Sequence, residues 1–157
     1  MAYKVFLSHS SADGDWVRWI ATNAKSIGIE VYLYEYNPQP GILVADKIKQ
    51  AIQDSDALIV LLTFNSQFSS YVQQEIGFAE ASRKQIIPLV QPGIQKRALA
   101  MLEGREYIFF DFNKPQEALS TLLSYLQKLR KVKENERAIL MGLGGLIIVA
   151  SLLGGGE

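Results

Sequence analysis

Ala57-Leu58-Ile59-Val60-Leu61-Leu62-Thr63 carries six apolar side chains in succession before its first polar one. A strand with one wet face alternates polar and apolar residues. A run that is apolar at every position therefore predicts a strand covered on both faces, the central strand of a parallel sheet. Working outward, residues 3–8 form a shorter apolar run ending in the polar cluster Ser8-His9-Ser10-Ser11, a buried strand entering a loop. From Asp15 onward, Trp16, Val17, Ile20, Ala21, Ala24 and Ile27 recur at steps of three and four, and Gly28 stands where a helix C-terminus favours it. Ile29, Val31 and Leu33 alternate with Glu30, Tyr32 and Tyr34 as a second strand. After the turn-forming Asn37-Pro38-Gln39-Pro40-Gly41, Val44, Ile48, Ala51 and Ile52 mark an amphipathic helix.

Downstream, residues 66–83 read as a helix with Tyr71, Val72, Ile76 and Ala79 inward. Residues 86–90 read as a strand that Pro88 places near an edge, and residues 107–110 as a fifth strand. Ala118, Leu119, Leu122, Leu123, Leu126 and Leu129 supply the stripe of a last helix. Strands alternating with helices predict an α/β fold, a flavodoxin-like doubly wound five-stranded parallel sheet of order 2-1-3-4-5. Such sheets take ligands beyond the carboxyl ends of strands one and three. Here that crevice would be lined by Ser8, His9, Ser10 and Ser11, by Thr63, Phe64 and Asn65, and by the start of the third helix.

Sixteen basic residues balance sixteen acidic ones, so no nucleic-acid or strongly acidic partner is expected. With 48% of residues apolar and 20% charged, the chain can bury a core, and disorder is excluded over most of its length. The absence of cysteine removes disulfides, thiolate metal sites and cysteine nucleophiles. One histidine, His9, cannot build a multi-histidine centre, so no metal and no cofactor are expected. The chain enters its first strand directly, and no signal peptide is expected.

Residues 138–156 hold no charge and would span about 28 Å as a helix, close to the hydrocarbon thickness of a bilayer. Lys128, Arg130, Lys131, Lys133 and Arg137 precede them, against Glu134 and Glu136. Basic residues beside a span favour the cytoplasmic side. The expectation is a domain at residues 1–130, a charged linker at 131–137 and a membrane-anchoring helix at 138–156, with the body in the cytoplasm.

From pattern alone, Glu75 stands out. Helical spacing puts it one turn from Tyr71 and from Ala79, beside the inward stripe, where partial desolvation would raise its pKa. A boundary glutamate paired with Arg83 or Lys84 fits the same pattern equally well. A phosphoacceptor site would need acidic residues at Ser8, His9 and Thr63, and a dinucleotide fold would need more than Gly14 in the first loop. His9 and Ser10 are adjacent on a loop with no third member, which favours a structural or ligand-contact role for His9 over catalysis.

The motifs KVFLSHSSAD (residues 4–13), NPQPG (37–41) followed by AIQDSD (51–56), and SSYVQQEIGFA (69–79) occur in one order. Over about residues 3–130 the sequence resembles the Toll/interleukin-1 receptor (TIR) family, particularly its prokaryotic members. The resemblance implies that Glu75 is catalytic and NAD+ the substrate, cleaved to nicotinamide and ADP-ribose or a cyclic variant, in immune or anti-phage signalling. Tyr71 stands where the family commonly has tryptophan, and so keeps an aromatic wall. The resemblance further implies that Phe6, Ser8, His9 and Ser10 lie near the nucleotide. It makes Asn37, Pro38, Pro40 and Gly41 part of the so-called BB loop, which gates the pocket or meets a neighbouring copy. A non-catalytic scaffold acting by TIR–TIR association, and more distantly a nucleoside deoxyribosyltransferase, are the rival readings.

Overall fold

The computed structural model describes residues 2–34, 40, 41 and 43–142. Among them, strands β1 (Tyr3–Ser8), β2 (Ile29–Tyr32), β3 (Ala57–Leu62), β4 (Gln85–Val90) and β5 (Ile108–Phe109) alternate with helices α1 (Gly14–Ser26), α2 (Val44–Gln53), α3 (Ser70–Ala81) and α4 (Pro115–Gly142). All strand pairs are parallel, and the order is β2-β1-β3-β4-β5. The central run behaves as its composition demands, with all six residues of β3 buried. Pro88 lies on β4, second from the edge. Because β5 pairs only with Leu89 and Val90, no ladder on that flank requires the N–H that Pro88 lacks.

Strand alternation decides what reaches the site. Phe6 pairs with Leu58 and Ser8 with Val60, so Phe6 and Ser8 share the sheet face that packs against α2 and α3. On that face Phe6, Leu58, Val60 and Leu62 meet Ile52 of α2 and Val72, Ile76 and Ala79 of α3 in one apolar cluster. On the other side of the sheet, Trp16 of α1 stacks on Phe112 and meets Phe110 edge-on, ahead of the first turn of α4. Helix α1 ends as its sequence predicts, with Gly28 at φ +83°, a left-handed position that an L side chain rarely adopts. Helix α3 begins at Ser70, later than periodicity alone suggests. The Ser66 hydroxyl donates to the Leu61 carbonyl and accepts from the Thr63 amide, which closes a turn ahead of the helix.

The described residues up to Leu123 form one compact unit and those from Ser124 onward a second. In the second, α4 continues to Gly142 through residues 131–137, with Arg130 and Glu134 paired along it. Among the described residues, no helix is long and apolar enough to cross a membrane. The reason is physical: the last turns of α4 before residue 138 carry Lys128, Arg130, Lys131, Lys133, Glu134, Glu136 and Arg137. This corrects the expected membrane partner and membrane-anchored localisation. The remainder of the expected span, residues 143–156, lies outside the described residues.

Candidate functional site

A cavity of about 510 Å³ opens at the carboxyl end of β1, between the loop that follows it, α2 and α3. Glu75, Tyr71 and Ser69 line it from α3 and its cap, His9, Ser10 and Ser11 from the loop after β1, and Val44 and Ile48 from α2. Leu7 and Tyr34 also line it. A larger cavity of about 660 Å³ runs between β2 and α2, lined by Lys4, Glu30, Lys47 and Asp54 among others, and contains none of the candidate residues.

Glu75 reaches this position because Val72, Ile76 and Ala79 turn the inward stripe of α3 toward the sheet, leaving Glu75 at the stripe's edge. Its partner is Ser8, not Arg83 or Lys84: the Ser8 hydroxyl donates to Glu75 Oε1 at 3.2 Å. Burial pushes the Glu75 carboxyl from its ordinary 4.5 up to about 7, while the Ser8 hydrogen bond pulls the other way. Desolvation wins because a single neutral donor at 3.2 Å returns less than bulk water would.

The structure redistributes the other candidates. His9 lines the cavity, and its Nδ1 lies 2.9 Å from the Leu7 carbonyl. A carbonyl can only accept, so Nδ1 carries the proton and Nε2 is the remaining ring nitrogen. Ser10 lines the cavity while its hydroxyl accepts from the Ala12 amide, capping the short turn Ser11–Asp13. Tyr71, expected inward, is 72% exposed at the rim, so it offers an aromatic wall to a ligand instead of packing in the core. Phe6 does not line the cavity. It is fully buried and stacked on Tyr32, with ring centroids 5.4 Å apart, which corrects the expectation of a nucleotide contact. Ser8, 1% exposed, faces Glu75 and is also absent from the lining. Pro40 and Gly41 form an exposed turn, with Gly41 at φ +86°. Asn37 and Pro38 lie outside the described residues.

Sequence reasoning missed the role of Asp13. Its carboxylate, buried at the end of the first loop, accepts from Thr63 Oγ1 at 2.6 Å and from Asn65 Nδ2 at 2.8 Å. Thr63 and Asn65 therefore do not line the crevice as expected; they clasp the β1 loop to the end of β3 and so fix His9 and Ser10. The available signal was an acid closing the loop opposite two polar residues that end the central strand. Asp13→Ala should destabilise the fold by about 2–3 kcal/mol, because Thr63 and Asn65 would lose a charged acceptor in a buried setting. Urea unfolding of the two proteins checks this, and a change below about 0.5 kcal/mol would show the clasp to be idle.

The family model of the TIR domain matches residues 5–123. The chain belongs to the TIR domain family. Among solved structures, similar folds include the TIR domain of the Toll-related receptor TRR-2 from Hydra magnipapillata, 18% identical with a TM-score of 0.64, covering 80% of this chain and 99% of that one. The TIR domains of the activated Roq1 resistosome, which directly recognises the pathogen effector XopQ, are 17% identical with a TM-score of 0.50, covering 78% and 84%. The CMP N-glycosidase BcmB of Clostridium botulinum is 21% identical with a TM-score of 0.58, covering 78% and 98%. No curated protein matches the sequence. At these identities the likeness establishes the TIR fold, and the chemistry has to be argued from the cavity.

Proposed function

We propose that this TIR domain cleaves the N-glycosidic bond between ribose and nicotinamide in NAD+, with Glu75 as the catalytic carboxylate. The observation that carries the reading is a partly desolvated carboxylate lining a cavity of about 510 Å³, one helical turn from an exposed aromatic ring. In this reaction the C1′–N bond breaks with its electron pair going to the pyridinium nitrogen, so nicotinamide departs neutral and needs no acid. Positive charge develops on the ribose, as in glycoside hydrolysis, and a desolvated anion stabilises it better than a hydrated one does. Water then adds at C1′ and releases a proton, giving ADP-ribose; attack by another nucleophile of the same molecule gives the cyclic variant. Tyr71 supplies a face for a planar base, and the hydroxyls of Ser10 and Ser11 are within the same cavity. That a protein of this fold is named a CMP N-glycosidase supports an N-glycoside as the target class.

The test is incubation of the full chain with NAD+ over a range of protein concentrations, with released nicotinamide quantified by chromatography. Turnover at any concentration supports the enzyme. A folded, self-associated chain that releases none is the scaffold instead, the second reading, which the exposed Pro40–Gly41 turn and the resistosome neighbour favour.

Both readings use that turn. Pro40 limits the entropy lost when the turn docks and Gly41 supplies its left-handed φ, so Pro40→Ala with Gly41→Val should lower self-association and, in the enzyme, turnover together by about tenfold or more. Sedimentation and NAD+ consumption followed in one concentration series check the coupling, and unchanged behaviour in both would remove the turn from the assembly.

A further inference from the structure

We propose that Ser8 is a positioning residue: its hydroxyl holds one carboxylate oxygen of Glu75 from behind, so that Glu75 meets the cavity in one orientation. The inference rests on the reading of Glu75 as the working carboxylate, and it assigns Ser8 a place outside the ligand's reach. Three observations carry it. Ser8 is 1% exposed and does not line the cavity. Strand alternation points it to the face that packs against α3, and the Ser8–Val60 register fixes its height on the sheet. Its hydroxyl lies 3.2 Å from Glu75 Oε1, on a residue 67 positions away in the chain.

A hydroxyl that donates to a carboxylate favours the ionised form, which is the form that can stabilise positive charge on a ribose. Here it opposes desolvation, the larger effect on this group. The titratable groups that share the cavity with Glu75 are His9 from the β1 loop, Tyr34 from the segment after β2 and Tyr71 from α3 itself; α2 presents only Val44 and Ile48. Among the described residues none of these is a carboxylate or a lysine or arginine cation, and the Ser8 hydroxyl is the donor that works against burial.

The experiment is direct titration of Glu75 in the full chain labelled with 13C at glutamate side chains, its resonance assigned by its loss in Glu75→Gln. Ser8→Ala should raise the Glu75 midpoint by about one pH unit, and Ser8→Thr, which keeps the hydroxyl, should return it toward the wild-type value. In the NAD+ assay the ascending limb of kcat/KM against pH should move upward by the same amount in Ser8→Ala. Thermal melts establish that each variant is folded, and Ser8→Cys, of similar volume and a weaker donor, serves if the alanine variant does not fold. A midpoint in folded Ser8→Ala or Ser8→Cys that matches wild type overturns the proposal. The titration needs no turnover, so a chain that fails to cleave NAD+ refutes the enzymatic reading while the hydrogen bond is still tested.

Discussion

Glu75→Gln should reduce nicotinamide release by at least about a hundredfold while leaving the fold intact, the scale of loss when a charged group aimed at the reacting centre is removed. Glutamine keeps an oxygen that can accept from Ser8 and fills nearly the same volume, so the change isolates the negative charge. The loss should fall on kcat more than on KM, since the positive charge on the ribose grows toward the transition state while the ground-state pyridinium cation is common to both. The wild-type rate should also carry the ionisation of this group. With the Glu75 carboxyl pushed up to about 7, the working anion is the minor form at pH 6 and the major form at pH 8, so kcat/KM should climb about tenfold between them. A flat profile over that range, or substantial turnover by folded Glu75→Gln, would assign the chemistry elsewhere and leave Glu75 as a helix-boundary residue.

Much of this arrangement could be read before any coordinates, and the parts that could not share a physical cause. Periodicity reports which face a residue occupies. It made the run 57–62 a fully covered strand, put Val72, Ile76 and Ala79 inward, and left Glu75 at the margin of that stripe, all of which the fold realises. Periodicity does not report depth along an element. Phe6 and Ser8 share one face, yet Phe6 sits mid-strand beneath Tyr32 and Ser8 at the strand's end against α3. Tyr71 is apolar enough to read as core, but its neighbour Val72 takes the inward place in the first turn of α3, and Tyr71 stays exposed. The Asp13 clasp joins residues about fifty positions apart through side-chain hydrogen bonds, for which a single sequence has no periodic signature. The tail misled for a different reason: an uncharged run is a statement about composition, and the described part of its helix is a charged one.

The stability of the protein should fall as pH rises from about 4.5 to about 7, and Glu75→Gln should abolish that fall. Burial disfavours the ionised carboxylate, so the folded chain keeps a proton on Glu75 up to about pH 7, whereas the unfolded chain releases it near 4.5. Between those values the folded state binds more protons than the unfolded one. Stability contributed by the protonated group is therefore complete below 4.5, and it is lost as pH rises through 7. At about 1.4 kcal/mol per pH unit the interval corresponds to about 3 kcal/mol. Glutamine is neutral throughout, so Glu75→Gln should match wild type near pH 4.5 and exceed it by up to about 3 kcal/mol at pH 8, a rise of roughly 5–10 °C in Tm for a chain of this length. Every other ionisable group is common to the two proteins, and the difference between their unfolding curves at the two pH values isolates this carboxylate. A difference that stays constant from pH 4.5 to 8 would mean that Glu75 is hydrated in the folded state, and the electrostatic argument for catalysis at this position would fail with it. If the difference grows as expected, the residue that carries the chemistry is also one the fold is less stable for keeping charged. That combination separates a working carboxylate from one retained to hold a helix in place.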